Sequence, residues 1–136
     1  MALGTLGGLQ TLGLNECLVT GAAFQRFGPL QSLKTLNLGA ARVDDNGLKL
    51  LVAIAPNLES LVLWQNPISD TGAKCLASLT QLQTLYLERT LVTDAGLLAL
   101  APLQNLQSVS VSNGRVSAAG IEQFRKQVPG CRVDLR

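Results

Sequence analysis

Histidine is absent from this 136-residue chain, and aromatic side chains make up only 4% of it. The first absence removes the side chain most often used as a general base and metal ligand. Without it, no serine or threonine has an evident base to make it a nucleophile. Cysteine is scarce: Cys17, Cys75 and Cys131 are far apart and odd in number, so they form neither a metal-ligand cluster nor a disulfide framework. That usage is compatible with a reducing compartment, and the cytoplasm is the favoured location. Charge is nearly balanced, with 11 Lys and Arg against 9 Asp and Glu, and a net +2 is too little to argue for nucleic acid. No uncharged apolar run approaches the roughly 20 residues that span a bilayer. The opening "MALGTLGGLQ" lacks a basic start, so no secretory leader is visible in it. With no phosphate-binding loop either, the chain is expected to be no enzyme, to need no cofactor or metal, and to insert in no membrane.

What the chain does contain is leucine in register. Leu-x-x-Leu-x-Leu reads Leu9, Leu12, Leu14; Leu33, Leu36, Leu38; Leu58, Leu61, Leu63; Leu82, Leu85, Leu87; and, with valine, Leu106, Val109, Val111. The five copies keep a period of 24 or 25 residues, which marks a solenoid of stacked units. Aliphatic anchors follow at Val19, Val43, Ile68, Val92 and Val116. Four residues beyond the last four stand Gly47, Gly72, Gly96 and Gly120, while the first copy has Ala23. Apolar residues then recur at helical spacing: Phe24 and Phe27, Leu48 and Leu51, Leu76 and Leu79, Leu97, Leu100 and Leu103, Ile121 and Phe124. Asp45, Asp70 and Asp94, with Ser69 and Thr93 beside two of them, are placed to cap short helices, and Pro29, Pro56, Pro102 and Pro129 to end the helical stretches. Each repeat therefore predicts a strand, a loop, a short helix and a return.

These residues resemble the leucine-rich repeat family over the whole chain. The (I/V)-(T/S)-D-x-G signature is similar to repeats of many bacterial proteins and to the cysteine-containing repeats of F-box proteins. Gly72-Ala73 with Leu76-Ala77 is similar to the GALA variety. The column in which the family often places a loop-bonding asparagine reads Cys17, Ala41, Asn66, Thr90 and Gly114, so a continuous asparagine ladder is excluded. The resemblance implies an α/β solenoid: a curved, right-handed parallel-sheet horseshoe segment with short helices on its convex face. It also implies a protein-binding role. Residues 1–136 read as one domain, with a partial repeat over 1–8, repeats starting at 9, 33, 58, 82 and 106, and a C-terminal edge over 125–136. Leu3, Leu6 and Leu9 align with Leu76, Leu79 and Leu82, so the chain reads as a fragment of a longer array. At the other end "CRVDLR" alternates Cys131, Val133 and Leu135 with Arg132, Asp134 and Arg136. It reads as a short charged edge strand closing the array.

If the leucines point inward, the residues between them point out in columns. The first column, Thr11, Thr35, Ser60, Thr84 and Ser108, is a hydroxyl ladder suited to a crowded sheet. The second is Gly13, Asn37, Val62, Tyr86 and Ser110; the third is Asn15, Gly39, Trp64, Glu88 and Ser112. The chain's single Trp and single Tyr thus fall on adjacent strands of the outward face, with Cα atoms roughly 8 Å apart. Val62 lies beside both, and Gln65, Glu88 and Arg89 rim them. Aromatic anchors inside a polar rim point to a protein- or peptide-binding patch made of Val62, Trp64, Gln65, Tyr86, Glu88 and Arg89. The alternative is a structural segment that docks on upstream repeats or on its own copy through the N-terminal partial repeat. Elsewhere, Ser108, Ser110, Ser112 and Asn113 read as a solvated strand. Arg115, Arg125, Lys126, Arg132 and Arg136 read as a basic end, and Cys17 as a packed thiol.

Overall fold

The computed structural model describes residues 8–19, 21–112 and 114–136. Leu3, Leu6 and Asn113, used in the repeat alignment and the column reading, lie outside them. Among the described residues six strands, β1 (Thr11–Gly13), β2 (Thr35–Asn37), β3 (Ser60–Val62), β4 (Thr84–Tyr86), β5 (Ser108–Val111) and β6 (Arg132–Leu135), pair in chain order into one parallel sheet. Five helices alternate with them: α1 (Gly21–Phe27), α2 (Asp45–Ile54), α3 (Asp70–Leu76), α4 (Asp94–Ala99) and α5 (Ala118–Gln127). Each element packs chiefly on its sequence neighbours of the same type. The sheet is open, and the fold is an α/β leucine-rich solenoid.

The register follows the repeat. Leu12, Leu36, Leu61, Leu85, Val109 and Val133 pair in one row across the sheet. The leucine triplets of repeats two to four are fully buried, whereas Leu9, Leu12 and Leu14 are only partly so. Burying the triplets is the main driving force for stacking, since an isolated coil leaves its apolar stripe in water.

Helix length is set by the spacing of the buried side chains. In α3 and α4 the inward residues recur every three positions: Ala73, Leu76, Leu79, Leu82, then Leu97, Leu100, Leu103, Leu106. A period of three matches 3₁₀ turns, not 3.6 residues per turn. The backbone accordingly makes i→i−3 bonds, with Leu79 N donating to Leu76 O (3.0 Å), Leu82 N to Leu79 O (3.0 Å), Leu100 N to Leu97 O (3.1 Å) and Leu103 N to Leu100 O (2.9 Å). The helices expected to run through Leu79 and Leu103 therefore stop at Leu76 and Ala99. In α2 and α5 one spacing widens to four (Leu48, Leu51, Ala55, Leu58; Ile121, Phe124, Val128, Cys131), and both helices reach ten residues.

The aspartates do not cap their own helices. Asp44, Ser69 and Ser117 are the N-caps whose side chains accept helix N–H groups, from Gly47, Thr71 and Gly120. Asp45, Asp70 and Asp94 reach into the following coil instead. Asp70 accepts from Thr93 N (2.7 Å) and Thr93 Oγ1 (2.6 Å); Asp94 from Ser117 N (2.7 Å) and Oγ (2.6 Å); Asp45 from Ser69 N (2.9 Å) and Oγ (2.5 Å). The glycine of the signature makes room for this carboxylate. A Cβ on Gly72, Gly96 or Gly120 would collide with Asp45, Asp70 or Asp94 of the preceding coil. Hence (S/T)-D-x-G is an intercoil latch, read here as donor, carboxylate and seat.

Asn66 adds one interior clamp. Its Oδ1 accepts from Ala41 N (3.1 Å) and Val43 N (2.8 Å), and its Nδ2 donates to Leu38 O (2.9 Å) and Leu63 O (3.0 Å). Thr90, in the same column, donates to Leu87 O at 2.7 Å.

Candidate functional site

The sheet face opposite the leucines carries the patch. Val62 and Trp64 alternate with buried Leu61 and Leu63, and Tyr86 and Glu88 with buried Leu85 and Leu87. Val62 pairs with Tyr86 across β3 and β4, so these side chains are immediate cross-strand neighbours. Val62, Trp64, Tyr86 and Glu88 are half-buried, while Gln65 and Arg89 are exposed. All six residues of the expected patch thus lie at the same end of β3 and β4.

The two rings do not stack on each other. Among the described residues the aromatic pair in contact is Phe24 with Phe27, edge-to-face at 5.6 Å in the core. The Trp64 indole leans the other way, onto Gly39 of the preceding coil, where any Cβ would strike the ring. Gly39 is therefore the seat that holds the indole, a role visible in sequence only as a glycine next to Trp64 in the third column.

Gln65 and Arg89 owe their position to the backbone. Both hold φ near +60° (57° and 59°), as do Ala40 and Glu16 one and two coils before Gln65 (53° and 62°). This left-handed step follows Asn15, Gly39, Trp64 and Glu88 and turns the chain out of the strand. It sets Gln65 and Arg89 at the rim. Gln65 N donates to Glu88 O at 3.0 Å, and Arg89 N to Ser112 Oγ.

One neighbour of the patch lies outside the set expected from the sequence. Val111 pairs with Leu135, and Arg136 N donates to Val111 O at 2.9 Å, so Arg136 extends the third column beyond Ser112. Trp64, Glu88, Arg89 and Arg136 together line a depression of about 300 Å³. The register offset of 24 that relates Trp64's column to Ser112 also yields Arg136; assigning it to a basic end hid this.

Three further expectations change. Ser110, expected on a solvated strand, is fully buried between Tyr86 and Asp134 in its row, and its Oγ has no hydrogen-bond partner among the described residues. Cys17 is exposed rather than packed, at the thinly covered first coil. Leu135 remains 42% exposed, although Cys131 and Val133 are buried as expected. Burial pushes the Cys131 thiol up from 9.0 to about 11, opposed by Arg125 and assisted by Asp134. It is therefore a neutral packing group near pH 7.

The family model described as "Leucine Rich repeat" matches residues 30–52 and 55–77, two consecutive coils of this solenoid. Those two coils are leucine-rich repeats. Leucine-rich repeats commonly serve as protein-interaction modules. None of the curated proteins compared with this chain matches. Among solved structures, a leucine-rich repeat protein of Leptospira interrogans is similar at 20% identity with a TM-score of 0.45, over 97% of this chain. The chain spans 50% of the length of that structure. Among the described residues no helix is long and apolar enough to cross a membrane.

Proposed function

We propose that this leucine-rich repeat domain binds a protein or peptide on the sheet face at the end of β3 and β4. Val62, Trp64 and Tyr86 serve as apolar anchors, and Gln65, Glu88 and Arg89 as the rim. The observation that carries the reading is the placement of the chain's only Trp and only Tyr on this face, half-buried, while Phe24 and Phe124 fill the core. A half-buried aromatic has its orientation fixed in advance, yet keeps apolar surface for a partner to cover.

The test is partner capture by wild type and by the Trp64→Ala/Tyr86→Ala double variant. The double variant should lose at least about 2 kcal/mol of binding, near thirtyfold in Kd, with its circular dichroism unchanged. Unchanged affinity would remove the patch from the binding surface. A chain that instead self-associates in light scattering, with no effect of the double variant on that association, would favour the assembly reading through Leu9 and the residues before it.

A further inference from the structure

We infer that the depression beside Trp64 receives a cationic side chain, arginine or lysine, from the bound partner, with Glu88 as its counter-ion. This rests on the binding role proposed above and adds the chemistry of what is bound.

Glu88 stands next to Trp64 in the third column, and both line the depression. Its Oε2 is buried from solvent and has no hydrogen-bond partner among the described residues. A carboxylate oxygen removed from water without a donor is a destabilising arrangement that a hydrogen-bonding cation relieves. The described residues do not supply that cation. Among the described residues the ion pairs are Lys34 with Glu59 at 3.3 Å and Arg132 with Asp134 at 3.5 Å; neither Arg89 nor Arg136 pairs with Glu88. Register explains the gap. Arg136 is two strands from Glu88, roughly 10 Å away along the column, and the rung between them carries only the short Ser112. The depression thus has a carboxylate and an indole on one side and an arginine on the other.

Two ligand charges compete for such a site, and burial decides between them. Arg89 and Arg136 are exposed, so water already satisfies their guanidinium groups. Glu88 Oε2 lacks both water and donor, so the unmet interaction is with the anion of the site. An entering guanidinium or ammonium would draw the Glu88 carboxylate round toward the depression and donate to it while lying against the electron-rich indole, the combination that favours cations at aromatic walls. The flanking arginines would repel a cation held at the mouth, so the site selects a side chain long enough to reach Glu88. Arginine and lysine both meet that condition.

The probe is N-acetyl-argininamide, titrated while Trp64 fluorescence is followed. As the sole tryptophan, Trp64 reports on this site alone. A saturable change is expected, at least tenfold weaker with the uncharged citrulline analogue. Glu88→Gln should weaken argininamide binding at least tenfold, since it removes the counter-ion and keeps the side chain's shape. Arg89→Ala should tighten argininamide binding. The inference is overturned if argininamide gives no saturable change, if the citrulline analogue binds equally, if Glu88→Gln leaves binding unchanged, or if N-acetyl-aspartamide binds better. The wider reading fails separately: Trp64→Ala/Tyr86→Ala would then leave partner capture intact. Capture lost in that double variant but untouched by Glu88→Gln would keep the surface and discard the cation site.

Discussion

Glu16, Ala40, Gln65 and Arg89 hold left-handed backbone without being glycine. Each such residue is strained by roughly 1–2 kcal/mol relative to its right-handed conformation. The sequence uses side chains there that the turn itself disfavours. At Ala40 nothing in the patch depends on the side chain, whereas Gln65 and Arg89 form its rim. Ala40→Gly should therefore stabilise the fold by up to about 1 kcal/mol in urea titration and leave partner capture unaltered. Gln65→Gly should stabilise by a similar amount but weaken capture. Equal capture by both variants would show that Gln65 contributes nothing beyond its backbone turn. At this scale the sequence was informative about which side chains face in, because alternation follows from the strand itself. It was silent on the seat of Trp64, which depends on a rotamer choice between two neighbouring coils.

Among the elements, the helices and their latches test the most detailed part of the fold. Gly120 lies within α5, where alanine is ordinarily worth about 0.5–1 kcal/mol more than glycine. All three nearest atoms to a Cβ placed there belong to Asp94. Gly120→Ala should thus destabilise the wild type, yet stabilise an Asp94→Ala background. Asp94→Ala alone should cost about 1–3 kcal/mol through the lost bonds to Ser117. A double-mutant cycle in thermal unfolding reads the coupling, and simple additivity would refute the latch. The repeat period, the strands and the approximate helix starts were legible in the leucine and glycine columns. The role of Asp45, Asp70 and Asp94 was not, because an aspartate at a helix start is ordinarily read within its own helix. Its acceptors here face a different coil. Helix length was present in the spacing of the buried residues, three against four, but it emerges only when that spacing is translated into hydrogen-bond type.

For the molecule as a whole, stability is a sum over coils and the contacts between adjacent ones, so titrating groups at one end act on the entire array only through its cooperativity. Cys131 anchors the last coil with its thiol raised from 9.0 to about 11 by burial. The unfolded thiol loses its proton first, so this contribution is complete below pH 9 and is lost as pH rises through 11. Cys131→Val should flatten the alkaline decline of the urea midpoint relative to wild type; an identical decline would place its cause elsewhere. Asp94 acts in the opposite direction. Its bonds from Ser117 hold the carboxyl below 3.8, so the latch is present above that pH and weakens as acid protonates it. The solenoid class was legible from five registered copies. The third column's extension to Arg136 needed the β5–β6 pairing, since the leucine signature is broken at "CRVDLR".

The carboxylate latch also gives the coils a sense of direction. Every hook reaches toward the C-terminal neighbour and every socket opens toward the N-terminal one, so a coil turned end for end would meet hook with hook. Residues 68–91 carry both fittings. An in-frame duplication of that segment would add a coil whose joints on either side already match, and the binding face would lengthen by one strand without any new chemistry to evolve.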